Sequence, residues 1–271
     1  MHPETEEQTE IEITEDTETD PDEIFITDED TDDPDLEEDI SEDMDEDFSS
    51  DEITAEFSLD EILTSGDYTY TIGYENVCLQ KYTGSATNLT LPSSLGGYPV
   101  TEIASGFLTD NNTVRSLTVP NSITGGGVNV GSSAFIGWIT GAPFMGCESL
   151  ESIIFEEGRD RIPSYFCAKI PNLKSVTIPS SVKAIGLMAF AGCESLAGVE
   201  LPMDTIELGG SAFSGTAISV LALPENVTVK TTTNNQITYY PLSGSQISTV
   251  ILKSGMKTIP EYLFADAPVL K

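Results

Sequence analysis

From Leu150 onward the apolar positions return in a fixed phrase. Leu150-Glu151-Ser152-Ile153-Ile154-Phe155, Leu173-Lys174-Ser175-Val176-Thr177-Ile178-Pro179 and Leu196-Ala197-Gly198-Val199-Glu200-Leu201-Pro202 start 23 residues apart. Ile218-Ser219-Val220-Leu221-Ala222-Leu223-Pro224 follows after 22, Ile247-Ser248-Thr249-Val250-Ile251-Leu252 after 29, and Leu270 opens a further unit 23 later. Upstream, Asn88-Leu89-Thr90-Leu91-Pro92 and Arg115-Ser116-Leu117-Thr118-Val119-Pro120 carry the same phrase. Alternation of apolar with small or polar residues predicts a short strand with one buried face, and proline, lacking a backbone donor, predicts where it stops.

A second element follows the phrase in each unit, as in Val100-Thr101-Glu102-Ile103, Arg161-Ile162-Pro163, Val182-Lys183-Ala184-Ile185-Gly186 and Lys257-Thr258-Ile259-Pro260. An aromatic anchor comes next: Phe107, Phe144, Phe166, Phe190, Phe213 and Phe264. One such unit cannot bury its apolar face alone, whereas stacked units can, so a solenoid with a stacked phenylalanine row is expected, its strands forming a parallel sheet along one side. An aromatic box for a cofactor is the competing use of such a row, and repeat anchors are normally core. Tyr68–Ile72 and Val77–Tyr82, joined through Gly73-Tyr74-Glu75-Asn76, predict a capping hairpin. Ser58-Leu59-Asp60-Glu61 fits a capping box and predicts a short helix before it. The chain stops at Val269-Leu270-Lys271, inside a fresh repeat, so it is expected to be a fragment of a longer protein.

Charge divides the chain. Of 271 residues, 46 are Asp or Glu and 11 are Lys or Arg, a net charge of -35. Residues 1–63 hold 30 of those acids and no basic residue, leaving 16 acids and 11 bases, a net of -5, for the remainder. Residues 1–57 therefore read as a disordered acidic linker, with too little to bury to offset the entropy of ordering it. Its role is that of a solubilising spacer or a diffuse cation binder, since no calcium-loop spacing is present. The balance excludes a basic nucleic-acid surface and disfavours anionic lipid. No leader-like start and no apolar run long enough to span a membrane is present, so no direct membrane insertion is expected. The only histidine is His2, so hydrolysis or metal binding that needs an imidazole inside the fold is excluded. No catalytic residue, metal ligand or cofactor is expected.

The stretch Ile185-Gly186-Leu187-Met188-Ala189-Phe190-Ala191-Gly192-Cys193-Glu194-Ser195-Leu196, running on to Leu201-Pro202, resembles one unit of the BspA-type leucine-rich repeat. Phe144-Met145-Gly146-Cys147-Glu148-Ser149-Leu150 repeats its core, and Tyr82-Thr83-Gly84 through Val100-Thr101-Glu102-Ile103 is similar to the opening units of such arrays. The likeness covers about residues 68–271 and departs from the pattern at 121–143 and 225–246. It implies an α/β-type repeat that is mostly β: a leucine-rich-repeat solenoid over residues 88–271, with a parallel sheet on one face and an N-terminal cap over 58–87. It also implies a secreted or cell-surface bacterial protein of adhesive function, contacting host or microbial surface proteins or glycans. A scaffold for a larger secreted enzyme, with its catalytic domain beyond Lys271, is the alternative, because fold does not fix function.

If the sheet face binds, the period of two places Asn88, Thr90, Ser116, Thr118, Ser152, Ile154, Ser175, Thr177, Gly198, Glu200, Val220, Ala222, Thr249 and Ile251 outward. The strongest contact candidates are Thr90, Ser116, Thr118, Ser152, Ile154, Ser175, Thr177 and Glu200. Trp138, in the 121–143 departure, is either an exposed contact or a cover over the solenoid flank. Cys147 and Cys193 share a repeat position, so buried free thiols are expected, with pairing between coils left open. Glu156, Glu157 and Asp160 read as a solvated turn. Asn88, Asn111 and Asn226 fit the glycan acceptor pattern by chance matching.

Overall fold

A computed structural model describes residues 61–126, 141–234 and 237–267. Among these every regular element is a strand. The chain opens with an antiparallel meander of β1 (Leu63–Ser65), β2 (Tyr68–Ile72) and β3 (Val77–Tyr82). The hairpin at Tyr68–Tyr82 thus falls where alternation placed it. The capping box at Ser58 begins outside the described residues, but Glu61 and Ile62 lie in no regular element and Leu63 is already in a strand, so no helix extends into them.

The repeat phrase builds the first parallel ladder. β4 (Asn88–Thr90), β7 (Ser116–Val119), β9 (Ser152–Phe155) and β11 (Ser175–Thr177) lie side by side, with Leu89, Leu117, Ile153 and Val176 in register and facing the core. β14 (Val220–Leu223) and β18 (Thr249–Leu252) form a separate parallel pair. The second element is also a strand in every described unit but the last, and these strands pair in parallel in two further sheets. Near the start β3 pairs with β6 (Tyr98–Ile103), which also takes β5 (Ser94–Leu95) antiparallel and β8 (Gly125–Gly126) parallel. Further on, β10 (Arg161–Ile162), β12 (Ala184–Ile185), β13 (Thr205–Gly209) and β15 (Asn226–Lys230) stack in order. The Thr- and Asn-rich stretch forms a hairpin of β16 (Thr232–Asn234) and β17 (Ile237–Tyr239). The expected second element Lys257–Pro260 forms no strand.

The turns stack as well. Backbone amides of Tyr165, Cys167 and Lys169 donate to the carbonyls of Leu187, Ala189 and Ala191 at 2.9, 2.9 and 2.8 Å. Met188, Phe190 and Gly192 repeat this onto Gly210, Ala212 and Ser214 at 2.9, 3.0 and 2.8 Å. Met188 (φ 51°) and Gly192 (φ 75°) bracket one such turn in the left-handed region, matching Tyr165 (61°) and Lys169 (57°) one coil earlier. The left-handed residues let alternate amides point along the solenoid axis, so each turn serves as a template for the next. The non-glycine ones carry a local cost of about 1 kcal/mol each.

Phe107, Phe144, Phe166, Phe190 and Phe213 are fully buried, and Phe264 is half-buried. Burial of one such ring contributes on the order of 2 kcal/mol. The row extends backwards into the hairpin, where the Tyr82 and Tyr68 rings lie 6.4 and 6.5 Å from Phe107. It is not the uninterrupted stack that motif counting predicts. Phe144 meets Phe166 at 5.4 Å and Phe190 meets Phe213 at 5.9 Å, but Phe166 and Phe190 form no ring contact. The turn bonds show why: Cys167 and Phe190 make equivalent bonds, so Cys167 stands at the anchor position and Phe166 one place before it. Its ring turns instead toward Phe155, at 6.0 Å. In the coil that lacks the Phe motif, Leu242 is fully buried in the matching turn.

Buried polar groups join coils. Arg159 lies under the surface with its guanidinium 4.7 Å from the Phe155 ring centroid, and Nη2 donates to the carbonyls of Pro120 (2.7 Å) and Ile123 (3.1 Å). Burial lowers its pKa below the usual arginine range. Ser149 Oγ donates to Val114 O at 2.8 Å. Asn111 Oδ1 accepts from the amides of Thr113 and Val114 while Nδ2 donates to Gly84 O, so this acceptor-pattern asparagine is a structural turn residue.

Candidate functional site

The outward rows of the first ladder fall in register as the period of two requires. Asn88, Ser116, Ser152 and Ser175 form one row, and Thr90, Thr118, Ile154 and Thr177 the other. Thr90, Ile154, Ser175 and Thr177 are exposed; Ser116, Thr118 and Ser152 are half-buried. Hydroxyls, one asparagine and one isoleucine make this face flat and weakly polar. A charged row runs along its entry edge: Glu151 Oε1 meets Arg115 Nη1 at 3.1 Å and its Oε2 meets Lys174 Nζ at 2.8 Å. The hydrogen bond from Lys174 is the main cause holding the Glu151 carboxyl below the usual range. All three groups are solvated, so the row orders the edge and adds little stability. Trp138 lies outside the described residues.

Glu200 is exposed, yet it is not on a strand. Ala197–Pro202 carries the repeat phrase, but it forms no ladder, and among the described residues no backbone bond joins it to either neighbouring coil. Elsewhere the bonds are regular: Lys174 and Ser175 amides donate to Glu151 O, and Ser248 and Thr249 amides to Ser219 O. Gly198 stands where Ser152, Ser175 and Val220 stand in other coils. Glycine gives a strand no packing side chain and the largest loss of backbone freedom. Val199 is only half-buried where Ile153 and Leu221 are fully buried. The ladder therefore ends at β11 and resumes at β14.

An open crevice of about 520 Å³ marks the break, lined by Ser175, Thr177, Val199, Glu200, Val220 and Ala222. It runs on into a second hollow of about 430 Å³ toward Met203, Asp204 and Lys253. Periodicity alone does not reveal it, because the phrase at Leu196 is intact in its apolar positions; the single signal is the glycine at a strand centre.

The remaining candidates are structural. All four cysteines are unpaired, with Cys147, Cys167 and Cys193 buried and Cys78 half-buried. Cys193 Sγ donates to Cys167 O at 2.9 Å, and burial pushes its thiol up to about 12. Cys78 is pushed up to about 11, first by burial and then by Glu102. Such thiols are poor nucleophiles. Glu157 is held below the usual carboxyl range chiefly by the Ser180 amide, at 3.1 Å, with Ser181 N at 3.3 Å on its other oxygen. It clamps the next coil. Among the described residues no cluster of three His, Cys, Asp or Glu groups is placed to hold a metal, and no helix is long and apolar enough to cross a membrane.

Stacked coils of about 23 residues, most of them with an inward-facing leucine phrase on a parallel ladder, define a leucine-rich-repeat protein. Residues 135–233 match the BspA-type leucine-rich repeat region family in six copies. A leucine-rich cell surface protein from Faecalibacterium prausnitzii is similar at 20% identity over 78% of this chain and 54% of that one, with a TM-score of 0.38. This chain thus spans about half of it. The pneumococcal vaccine antigen PcpA is similar at 17% identity over 78% of this chain and 69% of that one, with a TM-score of 0.43. A leucine-rich repeat protein of T. pallidum is 16% identical over 74% of this chain and 84% of that one, with a TM-score of 0.36. These likenesses concern the fold alone. No curated protein matches the chain.

Proposed function

We propose that the protein is a non-enzymatic binding module of the bacterial cell surface or extracellular space, and that the first ladder contacts a host or microbial surface protein or glycan. The observation that carries this is the in-register hydroxyl face, Thr90, Thr118 and Thr177 beside Ser116, Ser152 and Ser175, turned outward along a row of paired strands. A flat surface of regularly spaced small polar groups suits a partner lying along it, with adaptable hydrogen bonds at low side-chain entropy cost. The acidic segment acts as a spacer that keeps the array away from its anchor.

Binding of the chain to arrayed mucosal glycoproteins, matrix proteins and glycans tests this reading. A selective signal is expected for residues 64–271 alone. Replacing Thr90 and Thr118 by Arg should weaken it more than tenfold without shifting Tm. Unchanged capture in that variant removes the face from the function, and a signal that disappears with residues 1–63 moves the function to the acidic segment.

A further inference from the structure

We propose that the crevice at the ladder break takes an extended peptide strand with alternate aliphatic side chains and a Lys or Arg. This rests on the reading of the first ladder as the binding face and names a subsite at its end. Three observations converge on that occupant.

The first is unpaired main chain. β11 pairs only with β9, and β14 only with β18. The edges that face the break, Ser175–Thr177 and Val220–Leu223, therefore present amides and carbonyls that carry no ladder bond, and Ala197–Pro202 between them supplies none. Such edges are satisfied by another extended backbone. The second is the lining. Val199, Val220, Ala222 and Met203 are aliphatic or thioether groups, and no aromatic ring lines either hollow. Sugar rings are commonly held by aromatic faces, so the chemistry favours aliphatic side chains of a peptide. Val220 and Met203 are 47% and 64% exposed, apolar area that a ligand would cover. The third is charge. Glu200 and Asp204 line the crevice and join no ion pair among the described residues, while Lys253 is the only cation lining it. The net negative rim selects a basic residue on the partner.

The period of two fits these together. A strand presents alternate side chains to opposite faces, so one row enters the crevice toward Val199 and Ala222 while a basic residue of the other row reaches Glu200 or Asp204. Within the first ladder β7 and β9 are paired on both sides and offer no such edge.

The test is fluorescence anisotropy of the 271-residue chain with a labelled acetyl-Thr-Val-Lys-Val-Thr-Val-Thr-amide. Two control peptides accompany it, one N-methylated at alternate backbone nitrogens and one with Glu in place of Lys. Saturable binding is expected, weakened roughly tenfold or more by N-methylation, because each methyl removes a main-chain donor and the losses compound. Gly198→Thr should also weaken it, by giving coil 196–202 a side chain suited to pairing across the break; a Cβ there meets nothing within 4 Å. Glu200→Lys with Asp204→Lys, which leaves the core alone, should reverse the preference between the Lys and Glu peptides. Equal binding of the N-methylated peptide, or no binding at all, overturns the proposal. So does an unchanged preference in the charge-reversed variant. If surface-protein capture depends on Thr90 and Thr118 while no peptide binds, only the crevice falls; if capture ignores Thr90 and Thr118, the face itself falls.

Discussion

Gly209 lies against Gly186 one coil away, so closely that a Cβ on Gly209 would stand 2.6 Å from the Gly186 carbonyl carbon. Gly186 in turn meets Ser164, where a Cβ would come within 2.5 Å of the backbone nitrogen. Backbone touches backbone here, at the exit of the second ladder into the stacked turns. Gly209→Ala must push two coils apart, because backbone cannot rotate away as a side chain can. The expected loss is about 3 kcal/mol, read by urea unfolding. Gly198→Ala, with open space around it, should be neutral or stabilising by up to about 1 kcal/mol. Equal effects at the two sites would contradict the packing.

The offset between Phe166 and Cys167 predicts a non-additive pair. Cys167→Phe alone places a ring at the anchor position while Phe166 still fills the neighbouring space, so it should cost roughly 1–3 kcal/mol by overpacking. Phe166→Ala alone should cost about 3–5 kcal/mol by leaving a cavity. Combined, they reproduce the Ala189-Phe190 order of the next coil, and the double variant should recover about 1–3 kcal/mol relative to the sum. Additive unfolding free energies would show that the two positions do not share one space.

The Glu157 clamp predicts an acid-sensitive contribution to stability. Its folded pKa is depressed, chiefly by the Ser180 amide, so the unfolded chain binds the proton more readily. The stabilisation is present above the ordinary carboxyl pKa and is lost as pH falls through the lower folded value. Glu157→Gln should therefore lower Tm at neutral pH, and the two melting curves should converge in acid. A difference in Tm that persists unchanged at low pH would assign the effect to something other than the carboxylate.

Much of this architecture is legible in the chain. The leucine phrase fixes which side chains face inward, because burial in a strand has a period of two, and so it gives the rows Thr90–Thr177 and Asn88–Ser175 correctly. The second ladder is harder to read. β10 and β12 are two residues long, too short for any periodicity, and they pair because the coil geometry brings them together. Phe166 misleads for a different reason. The recurrence of phenylalanine hides that counting 23 back from Phe190 lands on Cys167, and only the turn bonds decide between the two alignments. The break at Gly198 is a tertiary effect of one missing side chain, silent in the apolar pattern.

The stacked turns and both ladders bond along the solenoid axis, and this gives the protein a direction of mechanical weakness. A load applied to the two ends pulls against those bonds one coil at a time rather than shearing a whole sheet at once. The coil at 196–202 has lost its bonds on the first ladder but keeps those of its turns to either side. Under tension it should part first on that flank, with the second ladder and the turn stack holding like a spine.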